Sequence, residues 1–530
     1  MTGNFTAKVD EKAIDAIFAA VNQCRLPGVA VGIAIDGVPV YRKGFGLASL
    51  ELPFALTPSI RMRIGSTSKH FTSLLYLLLC EEGRATLEDP IGRHIPELHE
   101  SARSVTARQL MAHTSGLRDV FDLAMQFNGH GHPVTTEELF AYYRTVDDVG
   151  FPPQTSWSYN NGGYLLLSVA IERITGQSLE EALRHRIFEP IGMYDTMLRR
   201  RDSDFVPNSA TLHMVDAQGR YNRNGMGLDL TGEGGIVSSI DDMLRWLRHM
   251  DHPVVGKPES WAALRYPQIL TNGTSTDYGL GLLFGRYRGA PIVFHGGGVF
   301  GGNSQMLKVP DAGLDVVVIS NRQDVWAPML ADRIVDAAVC GLDPVAEVPE
   351  LPKMRAHYVS PASGRVVGLF TDGDMPILSV DGLDSPAYAI SSCSLGYAAP
   401  LNFYKLLVSF SDAKTPPESI EINDFGNSER LDLIRPPSDP PVDELPSGKF
   451  QAASIGVEAI FEKSAEGSKL QFQGRLGKES YKLERLTPDV WRARSLAPIP
   501  LFGGIVTRDR DSQGFRFSSS RTRNLRFRPI

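Results

Sequence analysis

Ser66-Thr67-Ser68-Lys69 sets a hydroxyl three residues ahead of an amine. Where a helix starts at such a pair, positions i and i+3 stack on one face and the amine reaches the hydroxyl. The helix N-terminus adds donors and positive potential that favour an oxyanion. Burial or a nearby cation would lower the lysine pKa until it takes a proton. The pattern alone is coincidence-prone, since it recurs at Ser411-Asp412-Ala413-Lys414 in a β-rich stretch without helical spacing. Ser66 differs in context: it lies between a strand-like region and the apolar helical run Leu74–Cys80, LLYLLLC.

Two further groups have the right types. Tyr159-Asn160-Asn161 opens a helical run, so a phenol with base or acid capacity stands beside an amide that can orient a carbonyl and bridge to Lys69. Read alone, the same residues serve equally as a helix cap. His295-Gly296-Gly297-Gly298 follows the strand-like Ile292–Phe294, and glycines there let a ligand approach the backbone. Read alone, it is a glycine turn with an exposed histidine. His130-Gly131-His132 could supply two metal ligands but has no third at a suitable spacing, and residues 296–302 lack the context of a dinucleotide loop.

Taken in order, Ser-x-x-Lys, Tyr-x-Asn and His-x-Gly resemble the motifs of the penicillin-recognising serine hydrolases, a family of DD-peptidases, class C β-lactamases and related esterases and amidases. Met111–Gly116 (MAHTSG), Glu189–Met193 (EPIGM) and Gly234–Ser239 (GGIVSS) extend the resemblance over roughly residues 10–340. It implies acyl transfer through a covalent acyl-enzyme, with Ser66 as nucleophile and Lys69 and Tyr159 sharing proton transfer. It also implies that Asn161 orients the substrate amide and that His295 contacts the leaving or carboxylate side. The backbone amides of Ser66 and Gly298 would form the oxyanion hole, and Gly296 and Gly297 would line the substrate. No metal or other cofactor enters this scheme. His295 stands where many β-lactamases carry lysine, which is similar to the D-aminopeptidase and esterase branches. The function implied is cleavage of amide bonds in short linear peptides, D- or unusual residues included. The alternatives are a D-aminopeptidase or D-amino acid amidase, a carboxylesterase, a weak β-lactamase and a non-catalytic penicillin-binding sensor.

The elements that must hold these residues follow from pattern. The chain has 530 residues, 42% hydrophobic and 22% charged, with net charge −7. That is an ordinary globular composition and excludes disorder, a collagen repeat and a disulfide mini-protein. The four cysteines are dispersed, so no disulfide framework is expected. No apolar leader opens the sequence, and the expected address is cytoplasmic, with the periplasm as the alternative. Residues 27–48 alternate around Asp36-Gly37 as a hairpin, helical patterns cover 68–82, 163–175 and 179–188, and strand-like runs return at 278–284, 292–294 and 314–319. Pro328–Ala338 reads as a closing helix. The expected class is multidomain α+β: an antiparallel sheet flanked by helices over 1–340, then small all-β barrels at 356–435 and 448–530. Proline-rich linkers at 341–355 and 436–447 separate them.

A catalytic domain followed by two barrels resembles the D-aminopeptidase and linearised-microcystinase members of this family. The resemblance implies that a loop of the last barrel, near 495–503, enters the active site. That segment carries no acid, and its apolar Leu496, Ile499 and Phe502 would suit a bulky substrate better than an ammonium. Residues 446–530 hold 16 Lys+Arg against 8 Asp+Glu, which is expected to dock the last barrel on the acidic remainder. The expected partner is a small-molecule or short-peptide substrate, with no nucleic acid and no membrane; a homodimer is an open alternative.

Overall fold

The computed structural model describes residues 5–129, 133–216, 218–223, 225–345, 355–372, 375–391, 393–397, 406–410, 416–435, 445–464, 467–497 and 502–530. The His130–His132 triplet, the second Ser-x-x-Lys pair, Ile499 and most of both proline-rich stretches lie outside them.

Six strands form one antiparallel sheet: β1 (Val29–Ile35), β2 (Val38–Phe45), β3 (Leu283–Tyr287), β4 (Ala290–Val299), β5 (Gly302–Val309) and β6 (Leu314–Ser320), in the order β3-β4-β5-β6-β1-β2. The β1–β2 hairpin turns at Asp36 and Gly37, both at positive φ (50° and 72°), as a two-residue primed turn requires. Side chains alternate between the faces. Val29, Val31 and Ile33 pack with Ile14, Phe18, Ile334 and Val335 from the two terminal helices. Ala30, Ala34 and Val317 face a larger core containing Phe71, Ile240 and Leu244. A Cβ on Gly32 would stand 2.5 Å from Ile240 Cγ2, so glycine lets that helix lie directly on the sheet.

The helices that matter for the site are α1 (Lys69–Glu81), α2 (Val120–Asn128) and α3 (Asn161–Thr175). A 3-10 turn, Gly65–Ser68, leads into α1. The strand expected at 278–284 begins instead at Leu283. Gly279 and Gly281 interrupt the run, and Gly281, at φ +95°, lies so close to α1 that a Cβ would meet the His70 backbone at 2.9 Å. That holds Tyr278 in a loop against the helix start rather than in the sheet.

Beyond residue 354 the described residues form two closed eight-stranded barrels, spanning Arg355–Val359 to Asn427–Leu433 and Lys449–Ala452 to Leu525–Pro529. Burial alternates along their strands, as at Gly467–Gln473, where Ser468, Leu470 and Phe472 point inward. The second barrel is plugged by α2: Phe127 meets Phe472, Phe517 and Phe527 edge-on at 4.8, 5.5 and 6.0 Å between ring centroids. Tyr481 donates to the Gln126 carbonyl (2.9 Å), and Asn128 Oδ1 accepts from the Leu476 amide (2.9 Å). The first barrel sets Phe425 against Trp157 at 4.9 Å. The basic residues of the last barrel do meet acids elsewhere: Arg521 pairs with Asp119, Arg523 with Asp424 and Arg492 with Asp384. Among the described residues, no helix is long and apolar enough to cross a membrane.

Candidate active site

Ser66 sits in the 3-10 turn and is partly open, whereas Thr67, Ser68 and Lys69 are buried. Ser68 Oγ donates to the Gly65 carbonyl (2.6 Å) and accepts from the Ile236 amide (3.2 Å), which ties the turn to the strand at Ile236–Ser238. Lys69 Nζ lies 3.1 Å from Ser66 Oγ, 2.8 Å from Asn161 Oδ1 and 2.7 Å from the Glu233 carbonyl. The ammonium also stands over Tyr159 and Tyr164, at 4.7 and 5.3 Å from their ring centroids. Burial lowers the Lys69 pKa to about 7; the nearby Glu233 charge opposes this and Arg521 adds to it.

Burial raises the Tyr159 pKa far above the ordinary phenol value, and its hydrogen bond with Ser66 and the Arg521 charge recover part of that. Tyr159 therefore holds its proton at neutral pH beside a lysine that is ready to lose one. Asn160 caps α3, its Oδ1 accepting from the Gly163 amide (2.9 Å), so Asn161 is the first helical residue and turns its amide onto Lys69.

Strand β4 is clamped to the same turn. Thr67 Oγ1 donates to the His295 carbonyl (3.3 Å), and Ser304 Oγ donates to the Ile64 carbonyl (2.7 Å). Gly65 is at φ +53°, and a Cβ there would stand 2.8 Å from the Gly298 nitrogen; one on Gly297 would overlap the Ile64 oxygen at 1.8 Å. Glycine at these positions brings the Gly298 amide alongside the turn that carries the Ser66 amide. Gly296 is buried, and Gly297 and Gly298 are half-buried.

His295 lies beside Tyr159, with 6.4 Å between ring centroids. Its side chain is fully buried, with Nδ1 2.6 Å from the Gly296 carbonyl and Nε2 3.0 Å from the Tyr278 hydroxyl. His113 Nε2 is 3.2 Å from that hydroxyl, and His113 Nδ1 accepts from the Asn160 amide at 3.1 Å. One proton arrangement satisfies all four contacts: His113 Nε2–H donates to Tyr278, Tyr278 donates to His295 Nε2, and His295 Nδ1–H donates to Gly296. Both histidines are then neutral. Burial enforces this, holding His113 well below its usual range and His295 at about 3, with the Lys69 charge adding to both shifts. The chain links β4 to the cap of α3, so it positions Tyr159 and the glycine strand together.

Sequence reasoning missed several neighbours. His113 lies within the MAHTSG segment and Glu233 just before GGIVSS, so their segments were visible and their roles were not. Asp119, Tyr278 and Arg521 carried no local signal. Asp119, buried at the N-cap of α2, accepts from the amides of Phe121 (3.2 Å) and Gly162 (3.1 Å) and from Arg521 Nη1 (3.2 Å). Arg521 comes from the turn Ser518–Asn524 of the last barrel, and its guanidinium stands 5.1 Å from the Tyr159 ring centroid. Within 495–503, by contrast, the described residues serve the barrel. Leu496 is half exposed and its amide donates to the Ser480 carbonyl (2.8 Å), while the Phe502 carbonyl accepts from Ser495 (3.2 Å). Gly503 abuts Gly382 of the first barrel.

A Ser-x-x-Lys turn at the head of a buried helix, faced by a glycine strand of an antiparallel sheet, defines the β-lactamase-like class of fold. The Beta-lactamase family model matches residues 13–339, and the chain belongs to that family. It is 30% identical over 348 residues to a D-aminopeptidase of Gluconobacter oxydans (strain 621H), covering 64% of this chain and 63% of that protein. It is 30% identical over 322 residues to a D-aminopeptidase of Brucella anthropi, covering 59% of this chain and 60% of that protein. The similarity thus spans less than two thirds of either relative. Among solved structures, the octameric penicillin-binding protein homologue from Pyrococcus abyssi aligns with a TM-score of 0.58 at 24% identity, over 80% of this chain and 98% of that one. The D-amino acid amidase from Ochrobactrum anthropi SV3 complexed with D-phenylalanine aligns with a TM-score of 0.53 at 24% identity, over 62% of this chain and 98% of that one. At these identities the likeness is one of fold.

Proposed function

We propose that the protein is a serine amidase or peptidase that cleaves short peptides through an acyl-enzyme on Ser66. The observation that carries this reading is the 3.1 Å approach of Lys69 Nζ to Ser66 Oγ, by an amine whose pKa is lowered to about 7. Lys69 takes the Ser66 proton as Oγ bonds to the carbonyl carbon. The negative charge collects on the carbonyl oxygen, between the amides of Ser66 and Gly298, each contributing a few kcal/mol of transition-state stabilisation, about 3 by analogy with removal of one such donor. Tyr159, kept protonated by burial, gives its proton to the leaving nitrogen as the C–N bond breaks, and the proton that Lys69 took from Ser66 restores it. Water then hydrolyses the ester by the reverse proton path.

The names of the relatives support amide bonds at D-residues as the first substrates to try, ahead of esters and β-lactams. His295 and Tyr278 are read as positioning residues because both are buried and hydrogen-bonded to each other at 3.0 Å. The test is a screen of D- and L-amino-acid amides, short peptides, p-nitrophenyl esters and a cephalosporin, together with a fluorophosphonate probe. The expected results are multiple turnover of amides and a mass adduct on Ser66. Retained hydrolysis in Ser66→Ala would overturn the mechanism, and stoichiometric trapping without turnover would favour a binding sensor.

A further inference from the structure

We propose that Phe425, at the tip of a hairpin in the first barrel, is a positioning residue for Tyr159: its ring backs Trp157 and so keeps the phenol where it meets the leaving nitrogen. This rests on the proton-donor role proposed for Tyr159 and brings the first barrel into the machinery of that site.

The backbone of the tip is the first sign. The strands Ser419–Asp424 and Asn427–Leu433 pair with Asp424 opposite Asn427, which leaves Phe425 and Gly426 as a two-residue turn. Both stand at positive φ, 51° and 79°, as a type I′ turn requires. The first place in such a turn favours Asn, Asp or Gly. Two other hairpins of this chain follow that rule, Asp36-Gly37 at 50° and 72° and Asp381-Gly382 at 49° and 91°. A bulky aromatic residue is strained in this conformation, and strain of this kind marks a place where a side chain serves something other than its own turn. Phe425 is 2% exposed, and its ring centroid lies 4.9 Å from that of Trp157.

The contacts beyond Trp157 lead to the site. Its ring lies 6.1 Å from Tyr159 and 5.7 Å from His113, and His113 lies 4.3 Å from Tyr159. His113 also holds the backbone on either side of Tyr159: its carbonyl accepts from the Ser158 amide (3.0 Å) and its Nδ1 from the Asn160 amide (3.1 Å). His113 therefore fixes the segment from one side, and Trp157 with Phe425 behind it closes the other. The tip is also docked on the loop before Tyr278. Asn272 Nδ2 donates to the Phe425 carbonyl (3.4 Å), and a Cβ on Gly426 would stand 2.1 Å from Thr274 Oγ1. That loop joins the Tyr159 segment where the Thr271 amide donates to the Gln154 carbonyl (2.9 Å). The hairpin has an anchor of its own next to Phe425, since Asp424 accepts from Arg365 (2.7 Å) and Arg523 (2.9 Å). The turn is thus held in place without the ring, and the ring is left to press on Trp157.

The test uses the full-length protein and two substrates with the same acyl group, an amide and a p-nitrophenyl ester. An amine leaves only with a proton, whereas p-nitrophenolate leaves without one, so the ester bypasses Tyr159. Phe425→Asn places a residue that the turn favours at 425 and removes the ring. It should lower kcat/KM for the amide by about 10- to 100-fold, the upper end being the cost of roughly a 1 Å misplacement, and change the ester value much less. Phe425→Leu, which refills part of the space, should recover part of the amide rate. Trp157→Leu should reproduce the selective loss from the other side of the contact. Because the amide-to-ester ratio is read within one sample, a partly unfolded variant lowers both rates and leaves the ratio intact. An unchanged ratio in Phe425→Asn refutes the proposal. So does failure of Phe425→Asn, Phe425→Leu and Trp157→Leu alike to fold, which would assign the contact to stability. Failure of the underlying reading looks different: Tyr159→Phe would then leave the ratio at its wild-type value, whatever the variants at 425 do.

Discussion

At the residue scale, the site depends on two groups whose proton affinities are displaced in opposite directions by burial: Lys69 downward to about 7 and Tyr159 upward. If neutral Lys69 is the base, kcat/KM for an uncharged amide should rise tenfold per pH unit below about 7 and level off above it. Stopped-time assays from pH 5 to 9 test this, and a flat profile across pH 6–8 would remove Lys69 as base. The same displacement affects stability. Between about pH 7 and the lysine's unfolded value of 10.5, the unfolded chain binds a proton that the folded chain does not, so unfolding becomes harder as pH rises. Relative to Lys69→Met, the wild-type melting temperature should therefore gain between pH 7 and 10, as measured by scanning fluorimetry. Ser66, Lys69, Tyr159 and Asn161 were legible because each pair is contiguous in sequence and carries its own local chemistry. Asp119, Glu233 and Tyr278 were not, since an isolated acid or phenol has no pattern until the fold brings its partners to it. His295 was legible as a residue, whereas its burial against Tyr278 is a tertiary fact.

At the element scale, the turn before α1 and strand β4 work as one unit because two glycines allow their backbones to touch. Gly297→Ala would put a methyl within 1.8 Å of the Ile64 oxygen. The strand or the turn must then move, and either motion separates the Gly298 and Ser66 amides. Loss of one oxyanion donor costs about 100- to 1,000-fold in rate. We expect a fall of that order in kcat, together with slower fluorophosphonate labelling of Ser66; labelling at the wild-type rate would show that the strand adapts without cost. The β1–β2 hairpin could be read from Asp36-Gly37, since turn chemistry is local. The strand at 283–287 was displaced from its expected position because Gly279 and Gly281 answer to the packing of α1, which no sequence window contains. Likewise, the barrel element that reaches Tyr159 among the described residues is the turn at 518–524, and its reach is set by where α2 plugs the barrel. Phe127→Ala removes that plug. It should destabilise the docked barrel by about 3–5 kcal/mol and appear as a separate low-temperature unfolding step or early proteolysis within 446–530. A single unchanged transition would mean that polar contacts alone hold the barrel.

At the scale of the whole molecule, the three bodies meet through carboxylates that each serve two of them. Asp424 of the first barrel accepts from Arg365 of its own barrel (2.7 Å) and from Arg523 of the second (2.9 Å), with only 6% of its side chain exposed. Burial alone would raise its pKa, but the two guanidiniums outweigh burial and hold it below the usual carboxylate value. Asp424→Ala would remove one anion from Arg365, which also pairs with Asp381, and the Asp424 pair from Arg523. Breaking a buried pair from one side costs about 3–5 kcal/mol, and part of that cost can be relieved if Arg523 swings toward water. Arg523 is two residues from Arg521, on a turn whose other anchors include contacts with Asp119, Asp122 and Arg118. The change should therefore loosen the turn that carries Arg521. Faster hydrogen exchange is expected across 518–524. Fluorophosphonate labelling of Ser66 should persist, because Lys69, Asn161 and β4 are held by contacts that do not pass through Asp424. If labelling fell as well, the barrels would be supporting the catalytic domain as a whole; if exchange at 518–524 stayed slow, the contacts with Asp119, Asp122 and Arg118 would be sufficient to hold the turn.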